Sequence, residues 1–385
     1  GGKYLYRVRT VDYLNKERFS DEDNYSMSVA TKIGNGDLQF GSMNVLDKNK
    51  VVGYLSGNFE EKPAVLFSSV TNKNSRASLI EHLSNLTGVV GAKNSVLNID
   101  LLSWTAGTTA NTEMKLAETY NFIAAKTGNG TIGALNYESG LTTKRLAVGS
   151  STVGQDTAII TFAKPFKDVP VVLASPHIYG TATNAYPVSA RVFDVTNQGF
   201  KVKLMRQAVG PTGFRDCQVS YLAIDRGQAQ DGNGHLVTVR DTTIAFSSTL
   251  STTSVYYGDN AKLANPLFFG QLQTMDKPVL AVLRQGATGA GEYSTRVRLQ
   301  IDDTDPNNGT VSSSAPLTER VGYIVLADAE GSITAGINGV TVANSSYSDG
   351  VYNMNGVKVA ENIDNLPKGI YVIKKSGKSQ KVVKN

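Results

Sequence analysis

Residues Ser189–Leu204 read SARVFDVTNQGFKVKL. Apolar and polar residues alternate on both sides of a Thr196-Asn197-Gln198-Gly199 corner. Period two is the mark of a half-buried strand, so the segment predicts two strands joined by a tight corner. Gly199 is expected to supply the unusual backbone angles of that corner, and Phe200 to turn inward and begin the second strand. Outward from this hairpin, serine, threonine, valine, glycine and asparagine are abundant and helical spacing is scarce, which favours short strands joined by turns. Only Arg76–Leu86 (RASLIEHLSNL) has helix-like spacing, and it reads as a surface helix inserted in a loop.

The hairpin belongs to a repeat. Gly-Asn-Gly opens a polar, alternating stretch at Gly34, Gly128 and Gly232. A proline followed by an apolar run recurs at Pro63, Pro170 and Pro278. Alternating strands follow at Val96–Leu102, Phe200–Met205 and Thr295–Ile301. Each unit closes on an apolar strand, around Phe122-Ile123-Ala124, Tyr221-Leu222-Ala223 and Tyr323-Ile324-Val325. The order never changes, and the unit length is that of a small sandwich rather than a solenoid repeat. The fold class expected is therefore all-β, with tandem antiparallel β-sandwiches as beads on a string over 31–126, 127–228 and 229–329.

The 385 residues are 41% apolar and 18% charged, ordinary for a folded protein and too apolar for a disordered one. No apolar stretch is long enough for a membrane helix. The net charge is +5, but Lys374, Lys375, Lys378, Lys381 and Lys384 crowd the last dozen residues, and the rest is near neutral. That distribution, without an aromatic-plus-basic strand, does not point to nucleic acid. Cys217 is the one cysteine, so no intrachain disulfide forms.

Three resemblances follow from particular residues. In the middle unit, ITFAKPFKDVPVVLAS, the corner Val195–Phe200 and QVSYLAI, all within Ile160–Ile224, resemble the H-type lectin family, with Tyr221 where the family usually has Trp. The resemblance implies a six-stranded antiparallel sandwich that trimerises and binds N-acetylgalactosamine or galactose at subunit contacts. The family's sugar residues are not kept: their places fall at Pro187, near Gln207-Ala208 and near Arg215. Residues 1–30, with strands at Tyr4–Val11 and Tyr25–Ala30, resemble the last two strands of a fibronectin type III domain, which implies a truncated domain with its remainder upstream. The tail 330–385 resembles the C-terminal sorting segment of proteins secreted by Bacteroidetes, through Tyr352, Asn353, Gly356, Val359, Leu366, Pro367, Gly369, Ile370 and Tyr371. It implies export and a contact with secretion machinery.

No zinc spacing, nucleophile elbow or nucleotide-binding loop appears, so no catalytic residue is named and the chain is not expected to be an enzyme. No cofactor is expected. Asp302, Asp303 and Asp305 read either as calcium ligands or as a solvated turn. Glu118 and Glu319 fall at equivalent repeat positions, with Cys217 between them in the series. They read either as ligand-facing carboxylates or as framework groups paired with Arg298 or Arg320. Tyr179, Tyr186 and Arg215 are the candidate ligand-binding residues, because exposed aromatics stack on sugar faces. The function expected is non-catalytic adhesion to glycans or cell-surface glycoproteins, in a secreted or outer-surface bacterial protein. The alternative is a structural stalk of a larger exported protease or glycoside hydrolase.

Overall fold

The computed structural model describes residues 9–11, 17–19, 28–29, 31–33, 37–45, 50–55, 59–74, 78–83, 96–103, 116–143, 146–148, 157–178, 188–206, 215–246, 252–258, 262–276, 278–302, 318–328, 349–352, 358–375 and 378–384. Every regular element among them is a strand, and the chain divides into two compact units, Gly1–Ser332 and Ile333–Asn385.

In the larger unit, β1 (Arg9–Val11) and β2 (Glu17–Phe19) pair as an antiparallel hairpin, and β3 (Ser28–Val29) follows. The other strands fall into three like sets, here called modules. The first holds β4 (Thr31–Ile33), β5 (Leu38–Val45), β6 (Lys50–Tyr54), β7 (Ala64–Ser69), β8 (Ser78–Leu83), β9 (Val96–Ser103) and β10 (Glu118–Ala125). The middle one holds β11 (Gly128–Ile132), β12 (Leu135–Leu141), β13 (Leu146–Val148), β14 (Thr157–Thr161), β15 (Val171–Ile178), β16 (Val188–Phe193), β17 (Gly199–Arg206) and β18 (Arg215–Ile224). The third holds β19 (Gly227–Gln230), β20 (His235–Ala245), β21 (Thr253–Tyr256), β22 (Ala264–Leu272), β23 (Ala281–Ala290), β24 (Ser294–Ile301) and β25 (Thr318–Asp328).

The sheet order repeats. The inner sheets run β4-β5-β10-β7, β11-β12-β18-β15 and β19-β20-β25-β22, and the outer sheets run β6-β9-β8, β14-β17-β16 and β21-β24-β23. The all-β expectation and the sandwich architecture therefore hold. Four local expectations change. The segment expected to be helical contains β8, which pairs with β9 and with β15. The third module's counterpart of β7 and β15 is β22, which contains Pro266, because β22 is the strand that pairs with β25; Pro278 precedes β23 instead. Gly199 does not take a positive φ; Asp194, at φ 50, does. A side chain on Gly199 would meet the Ile160 carbonyl oxygen 2.1 Å from its Cβ, so glycine is required there for close approach.

The fourth change concerns the string of beads. The modules share sheets: β15 of the middle module runs parallel to β8 of the first, with His177 opposite His82 and Ile178 opposite Leu83. Likewise β23 of the third module meets β7 of the first, with Arg284 opposite Ser69. The reason is the apolar content of the inner sheets. The closing strands β10, β18 and β25 are buried along most of their length, and their stretches 122–125, 221–224 and 323–326 are aromatic or aliphatic throughout. Near-continuous apolar strands of this kind are covered on both sides. One side of each faces its own sandwich core: Tyr120 and Phe122, Val219 and Tyr221, Tyr323 and Val325. The other side enters one shared core, where Leu66 and Ile123, Leu173 and Leu222, and Phe269 and Ile324 meet from the three modules. The three modules thus close around a pseudo-threefold axis within a single chain.

The smaller unit holds β26 (Gly350–Tyr352), β27 (Lys358–Ala360), β28 (Gly369–Lys375) and β29 (Lys378–Lys384), in the antiparallel order β27-β26-β28-β29. The Tyr371 hydroxyl donates to the Pro367 carbonyl at 2.9 Å, which ties the Leu-Pro-Lys-Gly turn to its own strand. The Lys384 ammonium donates to the carbonyls of Ile363, at 2.8 Å, and Asp364.

Candidate functional site

Each module meets the next along a seam, and the two seams of the third module are built from one plan. Glu118, at the start of β10, and Glu319, near the start of β25, are both fully buried. Thr71 and Thr274 each follow an inner-sheet strand and donate a hydroxyl proton to the carboxylate of their own module, Thr274 at 2.5 Å. Each carboxylate then receives an arginine from a neighbouring module. The Arg284 Nη2 atom lies 3.1 Å from Glu118, and Arg191 Nη2 donates to Glu319. Each arginine also donates to a carbonyl at the same seam: Arg284 Nη2 to Asn74 at 3.0 Å, and Arg191 Nε to Thr274 at 2.8 Å.

The framework reading of the two carboxylates is therefore the one the geometry shows, with other partners than expected. Arg298 bonds Gln300 at 3.1 Å, and Arg320 lies 3.7 Å from Asp241. Arg191 and Arg284 were not singled out from sequence. Both occupy one repeat position, opposite Lys203 and Arg298 in the like stretches KVKL and RVRL, and that likeness is the signal the sequence carries.

The two carboxylates differ electrostatically. Burial opposes the charge of Glu118, but hydrogen bonds from Thr71, from Asn74 and from the Lys73 amide outweigh it and hold the carboxyl below its ordinary value. At Glu319 burial wins over Arg191 and Thr274, and the carboxyl is raised. Burial likewise lowers both arginines, against the opposing pull of Glu319 on Arg191 and of Glu118 on Arg284.

The seam between the first and middle modules uses different means. Cys217, fully buried, holds the position of Glu118 and Glu319, and β8 carries Glu81 at the register position of the two arginines. Backbone pairing between β8 and β15 closes this seam.

Where the seams converge, the axis is polar. The Ser175 hydroxyl of the middle module accepts the Phe67 N–H of the first at 3.0 Å. The Ser68 hydroxyl of the first accepts the Gly270 N–H of the third at 3.3 Å. Gln271 holds the equivalent position in the third module, and its Nε2 donates to the Ala190 carbonyl of the middle module at 2.8 Å. Gln273 adds a two-point clamp on Val172, accepting its N–H at 2.9 Å and donating to its carbonyl at 2.7 Å. Beside this ring lies a cavity of about 80 Å³, lined from all three modules by Phe67, Ala174 and Gly270 and by Ser68, Ser175 and Ser189 among others.

Tyr179 and Tyr186 lie outside the described residues. Arg215 begins β18 opposite Val148. Asp302 is buried, and its N–H bonds the Leu280 carbonyl at 2.9 Å, while Asp303 and Asp305 lie outside the described residues. In the tail, Tyr352 and Tyr371 are buried, Leu366 is half-buried, Pro367 is exposed and Gly369 begins β28; Asn353 and Gly356 lie outside the described residues.

Residues 157–224 match the family model of the H-type lectin domain. The matched span runs from β14 to the end of β18, so the middle module is lectin-like. No curated protein and no solved structure matches the chain.

Proposed function

We propose that this chain is a non-catalytic carbohydrate-binding region that mediates adhesion to glycans or cell-surface glycoproteins. The observation that carries the reading is the lectin-family match over 157–224. The closed arrangement of three modules supports it over a stalk. Three sandwiches packed about one shared core present a compact platform, whereas a spacer needs modules laid end to end. Export to the outer surface is part of the proposal and rests on the tail's resemblance to a sorting segment. The tail's own hairpin sheet keeps its lysine-rich last strand paired with β28.

A glycan-array screen of the whole chain tests the function. Saturable binding to a defined glycan class, reduced by Tyr179→Ala with Tyr186→Ala, is the expected result. No binding across the array sinks adhesion and leaves the stalk. Expression with and without residues 330–385 in a secreting host tests the tail, and equal export of both forms removes the sorting role.

A further inference from the structure

We infer that the cavity on the pseudo-threefold axis is a binding subsite for one edge of an uncharged saccharide ring, present once per chain. The inference rests on the carbohydrate reading above.

The three modules line the cavity unequally. Phe67, Ala174 and Gly270 stand at one equivalent position on β7, β15 and β22, as their pairing with Phe122, Tyr221 and Tyr323 fixes. A cavity of about 80 Å³ lies against this position in all three modules. An added Cβ on Gly270 would meet the side-chain ends of Leu283 and Phe268, at 2.4 and 2.8 Å, both in the third module.

The lining suits a hydroxylated ring. Ser68 and Ser175 each accept a backbone N–H through the hydroxyl oxygen, which leaves each hydroxyl proton to donate elsewhere. Ser189 adds a third hydroxyl, and Ala174, Ala190 and Leu272 supply apolar surface for ring C–H groups. Arg284 also lines the cavity, but Glu118 neutralises it and Gln300, at 2.9 Å, takes a further donor, so no net charge calls for an ionic ligand. A volume of about 80 Å³ lies well below the several hundred of a site that engulfs its ligand, so it admits the edge of a ring rather than a whole sugar.

The site is single because all three modules line it together, whereas a site at a seam could recur at each of the three seams. Isothermal titration of the whole chain with galactose, N-acetylgalactosamine and glucose tests this, together with S189L, which fills the cavity, and S189A, which removes one hydroxyl without adding bulk. Expected are one sugar bound per chain, an affinity loss of about tenfold or more in S189L, and a smaller loss in S189A. Melting temperatures identify folded variants, and S189A carries the test alone if S189L does not fold. Three sugars per chain, or unchanged affinity in the folded variants, overturns the axial site while the carbohydrate reading stands. Absence of binding to these sugars and to the glycan array overturns both.

Discussion

Arg191 and Glu319 stand 128 positions apart in the chain, lie in different modules, and form an ion pair buried almost completely. Glu118 and Arg284 repeat the arrangement across the first and third modules. Buried pairs of this kind contribute little net stability against a well-packed apolar replacement, but each partner makes the other indispensable. Their effect here is to define which module faces which.

Replacement of one partner leaves a buried charge alone. Arg191→Met is expected to cost about 3–5 kcal/mol of unfolding free energy, and R191M with E319L to recover much of it. Urea denaturation of the two variants checks this, and a double variant no more stable than R191M would refute the pairing as the cause.

The two carboxylates respond to acid in opposite senses. Glu118 has a lowered folded-state value, so its contribution is present above the ordinary carboxylate range and is lost as pH falls through the lowered value. Glu319 has a raised value, so its contribution is full below the ordinary range and is lost as pH rises through the raised value. Acidification should therefore narrow the stability gap between wild type and E118Q, and widen the gap between wild type and E319Q. Denaturant titrations across the carboxylate range measure both gaps. Gaps that move together contradict the assignment.

The shared core predicts common unfolding. Leu222→Ala, buried where three modules meet, should cost about 2–5 kcal/mol. It should also lower one calorimetric transition for the three modules together. Independent beads would instead give separate transitions, with only the middle one displaced.

Gly199→Ala forces a Cβ against the Ile160 carbonyl and should cost about 1–3 kcal/mol by pushing β14 from β17. Hydrogen exchange should show the loss first at the Ile160–Phe200 pair. Unchanged protection there would mean that the corner has room the geometry does not show.

Alternation around the Gly199 corner and the apolar runs of β10, β18 and β25 made the strands and their threefold repetition legible, because side-chain period and burial are local properties of the chain. The same runs hinted at closure: residues 122–125, 221–224 and 323–326 have no polar face to offer water. Nothing local told which module would cover which. His82 and His177, Arg284 and Ser69, and Arg191 and Glu319 are brought together only when three inner sheets bury their second faces against one another. In the third module two prolines, Pro266 and Pro278, each precede apolar residues, and only pairing with β25 distinguished them. Local pattern was enough for most strands, though not β8, and for the repeat and the lectin-like middle module. The closed ring, its two arginine–glutamate knots and the axial cavity were decided by tertiary packing, since they arise from contacts between residues roughly a hundred or more positions apart, for which a chain carries no short-range signal.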